Sequence, residues 1–447
     1  MPTCSVHPLP YHADPSGYFA RVRAAPGAVL LDSGRPIADR GRFDLLSAWP
    51  LDTLQPVADE SGAVFLQRLR ESLARIGEAD LPELCPLPFA GGLIGYLAYD
   101  FGRLFEPLPD QAIDDLHLPS ARLGLYAWAL ISDHHEHTSQ LVFHPALNQT
   151  ERQRLIALFE QPVAQPAPSF MLTTPFAPDI NAEQYRQAIE RIHAYIQAGD
   201  CYQVNFAQRF RGQYIGDPWA AYQALRVACP TPFAGFLTLP GGDAVLSLSP
   251  ERFVKVSQRQ VETRPIKGTR PRGRDADEDA AFARELLASD KDRAENLMIV
   301  DLLRNDLGRT CRIGSVKVPE LFSLESYPNV HHLVSAVTGE LADGKDALDL
   351  IGGSFPGGSI TGAPKIRAMQ IIDELERNRR ALYCGSLMYL DVRGSMDSSI
   401  AIRSLLAKDG QMACWGGGGI VADSQWEAEY QETFTKVRVL METLEGM

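Results

Sequence analysis

Strand-like and helix-like segments follow one another along this chain without the strand–helix–strand rhythm that a parallel sheet requires, and this irregular order constrains its fold most. The apolar run DAVLSLS at 243–249 and the alternating segment RFVKVSQRQVETR at 252–264 read as a strand and a hairpin. Further strands are expected at NVHHLVSAVTGEL (329–341), 383–391, 398–407 and 411–415. One helix is punctuated clearly: Asn181 can cap it, Gln184 completes a capping box, Tyr185, Ala188, Ile189, Ile192, Tyr195 and Ile196 form its apolar stripe, and Gly199 ends it. Others are expected at 278–288, at 291–303, after Pro364, and at the C-terminus, where Tyr430, Phe434, Val437, Met441 and Leu444 recur at helical spacing. The expectation is an α+β fold with sheets packed together and flanked by helices, not a doubly wound sheet.

One composition shift divides the chain. Residues 161–179 hold Pro162, Pro166, Pro168, Pro175 and Pro178, which a helix or a central strand would not tolerate, so a connection is expected there between an N-terminal region, 1–160, and a larger region, 180–447. With 447 residues, 45% of them hydrophobic, the chain can bury a large core, and no long polar tract suggests disorder. The formal charge of -13 would repel phosphate backbones and anionic lipid, so neither nucleic acid nor a membrane is an expected partner. Seven scattered cysteines with no CxxC pair point to reduced thiols and away from structural zinc. The N-terminus lacks a basic segment followed by an apolar one, and no apolar run reaches the ~18 residues of a membrane span, so a soluble, cytoplasmic protein is expected.

Several residues could carry chemistry. Asp292 and Glu295 on one helix, and Glu429 and Glu432 on another, are each three residues apart and so share a helix face. They read either as solvated faces, with Glu432 paired to Lys436, or as an oxygen-only set suited to Mg²⁺. Lys267, before Gly268 in RPIKGTR, is a solvated strand end or, if desolvated, a nucleophile. Glu251, after Pro250, is a salt-bridge partner or a general acid with a raised pKa. His332 lies in a strand with a buried pattern. Gly357, Gly358 and Gly416–Gly419 are expected in turns whose N–H groups could face an anion, and neither group has the spacing of a nucleotide-binding loop.

Seven segments in order, LSLSPERF (246–253), RPIKGTRPRG (264–273), AENLMIVDLLRNDLGR (294–309), HLVSAVTG (332–339), GGSITGAPKIRAM (357–369), DSSIAIRSL (397–405) and GGGIVADS (417–424), resemble the chorismate-utilising enzymes. That family includes the component I subunits of anthranilate and aminodeoxychorismate synthases and the isochorismate and salicylate synthases. In the N-terminal region, VLLDSGRP (29–36) and FAGGLIGYLAYD (89–100) resemble the segments that build the other half of the component I sandwich. The resemblance implies two packed, mostly antiparallel sheets flanked by helices, with 180–447 as the chorismate-binding catalytic region interlocked with 1–160. Gln203 stands where isochorismate and salicylate synthases carry a water-activating lysine. Lys267, in PIKGT, resembles the aminodeoxychorismate synthase branch, whereas anthranilate synthases have a small residue there.

The resemblance implies that Glu295 and Glu432, with Asp292 and Glu429 beside them, hold Mg²⁺ against the ring carboxylate. Arg403 would pair with the enolpyruvyl carboxylate, with Tyr383, Gly268 and Gly419 completing that cradle and Ser359, Thr361 and Lys436 nearby. Lys267 would attack ring carbon 2 while Glu251 protonates the departing hydroxyl, and ammonia would then displace the lysine at carbon 4, giving 4-amino-4-deoxychorismate for 4-aminobenzoate and folate synthesis. His332 would handle protons or touch substrate. Met388 and Trp426 depart from the common residues at their positions and are expected on the pocket wall. The VLLDS segment with Pro232 and Phe233 resembles the place where relatives hold tryptophan. The cysteines lack a glutaminase elbow, so a separate glutamine amidotransferase subunit is the implied ammonia source. Two other readings stand beside this one: an anthranilate synthase component, or a non-catalytic regulatory subunit that binds chorismate or tryptophan.

Overall fold

The structure is a computed structural model that describes residues 1–38, 41–83, 85–161, 169–327 and 330–447. Among the described residues the strands form two sheets, of 12 and 10 strands, and every strand pair within them is antiparallel. Both ends of the chain contribute to both sheets. In the larger, the N-terminal strand Val29–Asp32 pairs with Phe233–Thr238. In the smaller, Gly92–Leu97 pairs with Ser386–Asp391. The sheet faces enclose one apolar core that includes Phe65, Phe101, Phe206 and Met388. A second core, rich in Trp219, Tyr222, Phe236 and Leu246, lies under helices Pro218–Ala228, Gln149–Glu160 and Trp426–Glu445.

The expected helices form with small shifts, over Ala276–Ala288, Asp290–Gly308 and Lys365–Leu375, and Ala182–Gln197 carries the Asn181–Gln184 capping box in full. The strand expected from 329 runs over Val330–Glu340, with Asn329 outside the described residues. The Pro-rich stretch is corrected in part. Pro162, Pro166 and Pro168 lie outside the described residues, but Phe170–Pro178 is a strand, paired along the outer half of Gln203–Gly216. It is paired on that side only among the described residues, which is how it accommodates Pro175 and Pro178. Lys317–Ser326, which sequence patterning did not mark, is another strand paired on one side only among the described residues, exposed for much of its length and without period-2 burial.

Two expected strands also differ in a way that shapes the site. The stretch 398–407 is two strands: Met396–Ile400 belongs to the smaller sheet and Ser404–Lys408 to the larger, and the chain crosses between them at 401–403. Arg403 takes the left-handed conformation at this crossing, with φ 49°. A parallel event occurs at 250–251, where Ala244–Ser249 of the larger sheet gives way to Arg252–Ser257 of the smaller. The Ile400 N–H donates to the Glu251 carbonyl at 3.0 Å, so the two crossings lie side by side.

The run Gly416–Gly419 is likewise strand rather than turn, inside Gln411–Ile420 and paired with Gln203–Gly216. The glycines are there for contact: a Cβ on Gly416 would stand 2.0 Å from the Thr433 carbonyl oxygen of the terminal helix. Their small size lets that helix lie against the sheet and bring its carboxylates to the strand.

Candidate active site

A cavity of about 910 Å³ opens where the two crossings meet the helix Asp290–Gly308 on one side and the terminal helix on the other. Glu251 and Arg403 enter it from the crossings, and Lys267, Gly268 and His332 enter from the smaller sheet. The strand Ile266–Pro271 pairs Lys267 with Leu333 and Thr269 with His332, leaving Gly268 as a bulge at φ 75°. Only glycine fits there, because a Cβ would lie 2.8 Å from Leu286 and 2.9 Å from the Asp292 carboxyl carbon. The bulge turns the Lys267 side chain into the cavity and packs its neighbour against the two helices.

The Lys267 ammonium donates to the Ser359 carbonyl oxygen at 3.3 Å, and the Ser359 hydroxyl donates to the Glu251 carboxylate at 3.0 Å. Ser359 therefore joins the lysine to the carboxyl group. Desolvation lowers the Lys267 pKa from its ordinary value, against the opposing pull of Glu251, and the positive charge of Lys436 adds to the lowering. Burial raises the Glu251 pKa, with Lys267 and the Ser359 hydrogen bond holding it back. The two shifts bring an amine and a carboxyl group toward one pH range, where a neutral nucleophile and a protonated acid can coexist. His332 hydrogen-bonds through Nδ1 to the Thr269 hydroxyl at 2.9 Å. Burial, with Arg403 nearby, lowers its pKa to about 4, so it is neutral at neutral pH.

The Arg403 carbonyl accepts from the Leu248 N–H at 3.0 Å, while its guanidinium has no hydrogen-bond or ion-pair partner among the described residues and lines the cavity ready for a carboxylate. Tyr383, just before the strand Ser386–Asp391 instead of within it, stacks on Trp415 at 6.0 Å with an interplanar angle of 5°. The buried Arg380 guanidinium lies 5.7 Å from the Tyr383 ring and pairs with Glu376 at 2.6 Å. Gly419 lines the same wall.

All four acidic residues also line the cavity. Asp292 is 3.2 Å from Arg270, Glu429 accepts from Ser424 at 2.7 Å, and Glu432 is 2.6 Å from Lys436, whose ammonium also donates to the Gly417 carbonyl. The Glu295 carboxylate has no hydrogen-bond or ion-pair partner among the described residues; burial raises its pKa, the charges of Lys267 and Lys291 hold it back, and Asp292 and Glu429 add repulsion. Burial likewise raises the Glu429 pKa, with Glu432 contributing. Such a set gains from a cation, and its donors are all oxygen, as Mg²⁺ prefers. Among the described residues no three of these groups close around one point, so an ion here would take the rest of its shell from water and substrate.

The remaining expected residues are set back from the wall. Gln203 is buried behind Gly419, whose Cα hydrogen faces its amide, and the Thr361 hydroxyl donates to the Gly357 and Gly358 carbonyls. Met388 packs in the inter-sheet core, and Trp426 begins the terminal helix beside that core. Sequence reasoning missed the cavity residues Asn205, Thr231 and Trp415. The QxN alternation at 203–205 was the available signal, since it puts two carboxamides on one strand face. A second cavity, of about 1160 Å³, is lined by Leu31, Ser33, Phe43, Pro232 and Phe233, and it shares Pro232, Pro250, Ile266 and Tyr327 with the first.

The chain matches the chorismate binding enzyme family over residues 39–442. It is 48% identical over 441 residues to aminodeoxychorismate synthase component 1 of Escherichia coli (strain K12), covering 96% of this chain and 95% of the relative. It is 40% identical over 464 residues to anthranilate synthase component 1 of Mycobacterium tuberculosis (strain CDC 1551 / Oshkosh), covering 96% and 90%. The structure of anthranilate synthase component I from Streptococcus pneumoniae TIGR4 superposes with a TM-score of 0.77 at 30% identity, covering 90% of this chain and 92% of that one. The menaquinone-specific isochorismate synthase of Escherichia coli shares the fold at a TM-score of 0.74 and 19% identity, covering 99% and 95%. With both its length and its sandwich accounted for by these relatives, the chain belongs to the chorismate-binding enzyme family.

Proposed function

We propose that this chain aminates chorismate at ring carbon 4 with ammonia to give 4-amino-4-deoxychorismate, the precursor of 4-aminobenzoate. The observation that carries the reading is the Lys267–Ser359–Glu251 chain in one cavity, with the lysine pKa lowered and the carboxyl pKa raised. Near-full-length similarity to proteins named aminodeoxychorismate synthase component 1 supports it. Neutral Lys267 attacks ring carbon 2, both conjugated ring double bonds shift by one position toward carbon 4, and the carbon 4 hydroxyl leaves as water with the Glu251 proton. Ammonia then adds at carbon 4, both double bonds shift back, and Lys267 departs from carbon 2 as the free amine. The new ammonium returns a proton to Glu251. Neutral His332 lies beside the bulge that presents Lys267 and accepts or donates hydrogen bonds at the ring without adding charge.

Glu295 and Glu432, with Asp292 and Glu429 beside them, would hold Mg²⁺, which supplies positive charge to the ring carboxylate. Arg403 and Tyr383 hold the enolpyruvyl group in place during both steps. A separate glutamine amidotransferase subunit supplies the ammonia. The second cavity, with the aromatic Phe43 and Phe233 on its wall, suits a tryptophan side chain, and tryptophan is the ligand we assign to it. Among the described residues no helix is long and apolar enough to cross a membrane.

The test is to incubate the chain with chorismate, Mg²⁺ and ammonium and to separate the products. Aminodeoxychorismate without pyruvate is expected. Anthranilate with stoichiometric pyruvate would overturn the reading, and so would the absence of turnover in the presence of an amidotransferase partner.

A further inference from the structure

Asn205 is a polar residue in a costly position. It is 6% exposed, its side-chain nitrogen has no hydrogen-bond partner, and it lines the active cavity. A buried amide donor left unpaired destabilises the free protein, so its presence on a cavity wall points to an acceptor that arrives from outside. The backbone of Asn205 is fixed on both sides. Its N–H donates to the Thr361 carbonyl at 2.8 Å, and its carbonyl accepts from the Arg380 guanidinium at 2.5 Å. That same guanidinium lies over the Tyr383 ring, and in the strand pairing Asn205 stands directly opposite Gly419. Asn205 therefore belongs to the corner formed by Gly419 and Tyr383, on the cavity that also holds the unpaired Arg403 guanidinium. An anion that pairs with Arg403 brings acceptor oxygens into that corner.

We propose that Asn205 is a further substrate-binding residue, its carboxamide N–H donating to the enolpyruvyl carboxylate of chorismate beside Arg403. The proposal rests on the reading that this cavity binds chorismate. In the free protein the amide is an unmet donor, and in the complex it makes a charge-assisted hydrogen bond and helps retain the enolpyruvyl group through amination.

The test measures chorismate affinity by calorimetric titration, and the thermal midpoint of the free protein, for wild type, Asn205→Leu and Asn205→Asp in the presence of Mg²⁺. Leucine matches the side chain in size and removes the donor. It is expected to weaken chorismate binding roughly 10- to 100-fold, the factor that a hydrogen bond to a charged group supports, while the midpoint stays level or rises. Aspartate replaces the donor with a like charge and is expected to bind more weakly than leucine. Wild-type affinity in the leucine variant would overturn the proposal. So would an aspartate variant that binds better than leucine, because the group met by residue 205 would then be a donor. A leucine variant that loses midpoint and affinity together would assign Asn205 a purely structural role. If wild type itself fails to bind chorismate, the reading of the cavity falls along with the proposal, a result distinct from any of these.

Discussion

Lys267 and Glu251 stand 16 positions apart in sequence and meet through a single serine, so each can be removed without dismantling the other's surroundings. Without ammonia the reaction should stop at the covalent stage, and the intact protein should gain the mass of chorismate less one water. Lys267→Ala should abolish that adduct, and Glu251→Gln should slow its formation by roughly 10²- to 10⁴-fold, the range of general acid catalysis. Intact-mass spectrometry of both variants checks this, and an undiminished adduct in Lys267→Ala would sink the covalent route. His332 makes a stability prediction of its own. Its folded pKa of about 4 lies below the ordinary 6.5, so the unfolded chain takes up this proton first as pH falls. Its contribution is therefore fully present above about pH 6.5 and lost toward pH 4, by at most about 3 kcal/mol. Denaturant unfolding at pH 7 and pH 4.5 should show a smaller acid loss in His332→Gln than in wild type, and equal losses would refute the assignment.

At the scale of elements, the glycine strand Gln411–Ile420 shows what sequence could and could not convey. A Cβ on Gly416 would stand 2.0 Å from the Thr433 carbonyl, and one on Gly418 would come within 3.3–3.5 Å of the Glu429, Glu432 and Lys436 head groups. Gly416→Ala should push the terminal helix outward, costing about 1–3 kcal/mol and raising the Mg²⁺ concentration needed for activity. Gly308→Ala, with nothing within 4 Å, should change neither, and thermal unfolding with a Mg²⁺ titration of turnover separates the two cases. Four successive glycines read locally as a turn, because the helix that requires them arrives only later in the chain. The crossings at 250–251 and 401–403 were hidden for a related reason: strands on both sides share the same apolar character, and alternation does not record which sheet a strand joins. By contrast, the Asn181–Gln184 capping box, the helices that carry the acidic pairs, and the motif residues Lys267 and Glu251 were legible, since caps and helical spacing are local and the motifs survive intact. Asn205 was not, because its missing partner is a fact about the three-dimensional neighbourhood alone.

At the scale of the whole molecule, the sandwich has no half that closes by itself. Removing residues 1–160 would strip Val29–Asp32 from Phe233–Thr238 and Gly92–Leu97 from Ser386–Asp391, exposing strand edges in both sheets and the apolar faces between them. These pairings between residues 1–160 and the later part of the chain hold the two regions together independently of the covalent link between them. A protease site inserted between Gln161 and Ser169 should therefore yield two pieces that stay associated. The nicked protein should unfold in one calorimetric transition with its calorimetric and van't Hoff enthalpies close to those of the intact chain. Residues 1–160 expressed alone should lack a cooperative transition, and co-expression with 169–447 should restore both the transition and turnover with ammonium. Two separated transitions in the nicked protein, or a cooperative one in the isolated N-terminal piece, would show instead that the regions are autonomous and that the site, built apart from Ala38 from residues beyond 200, does not need the N-terminal strands behind it.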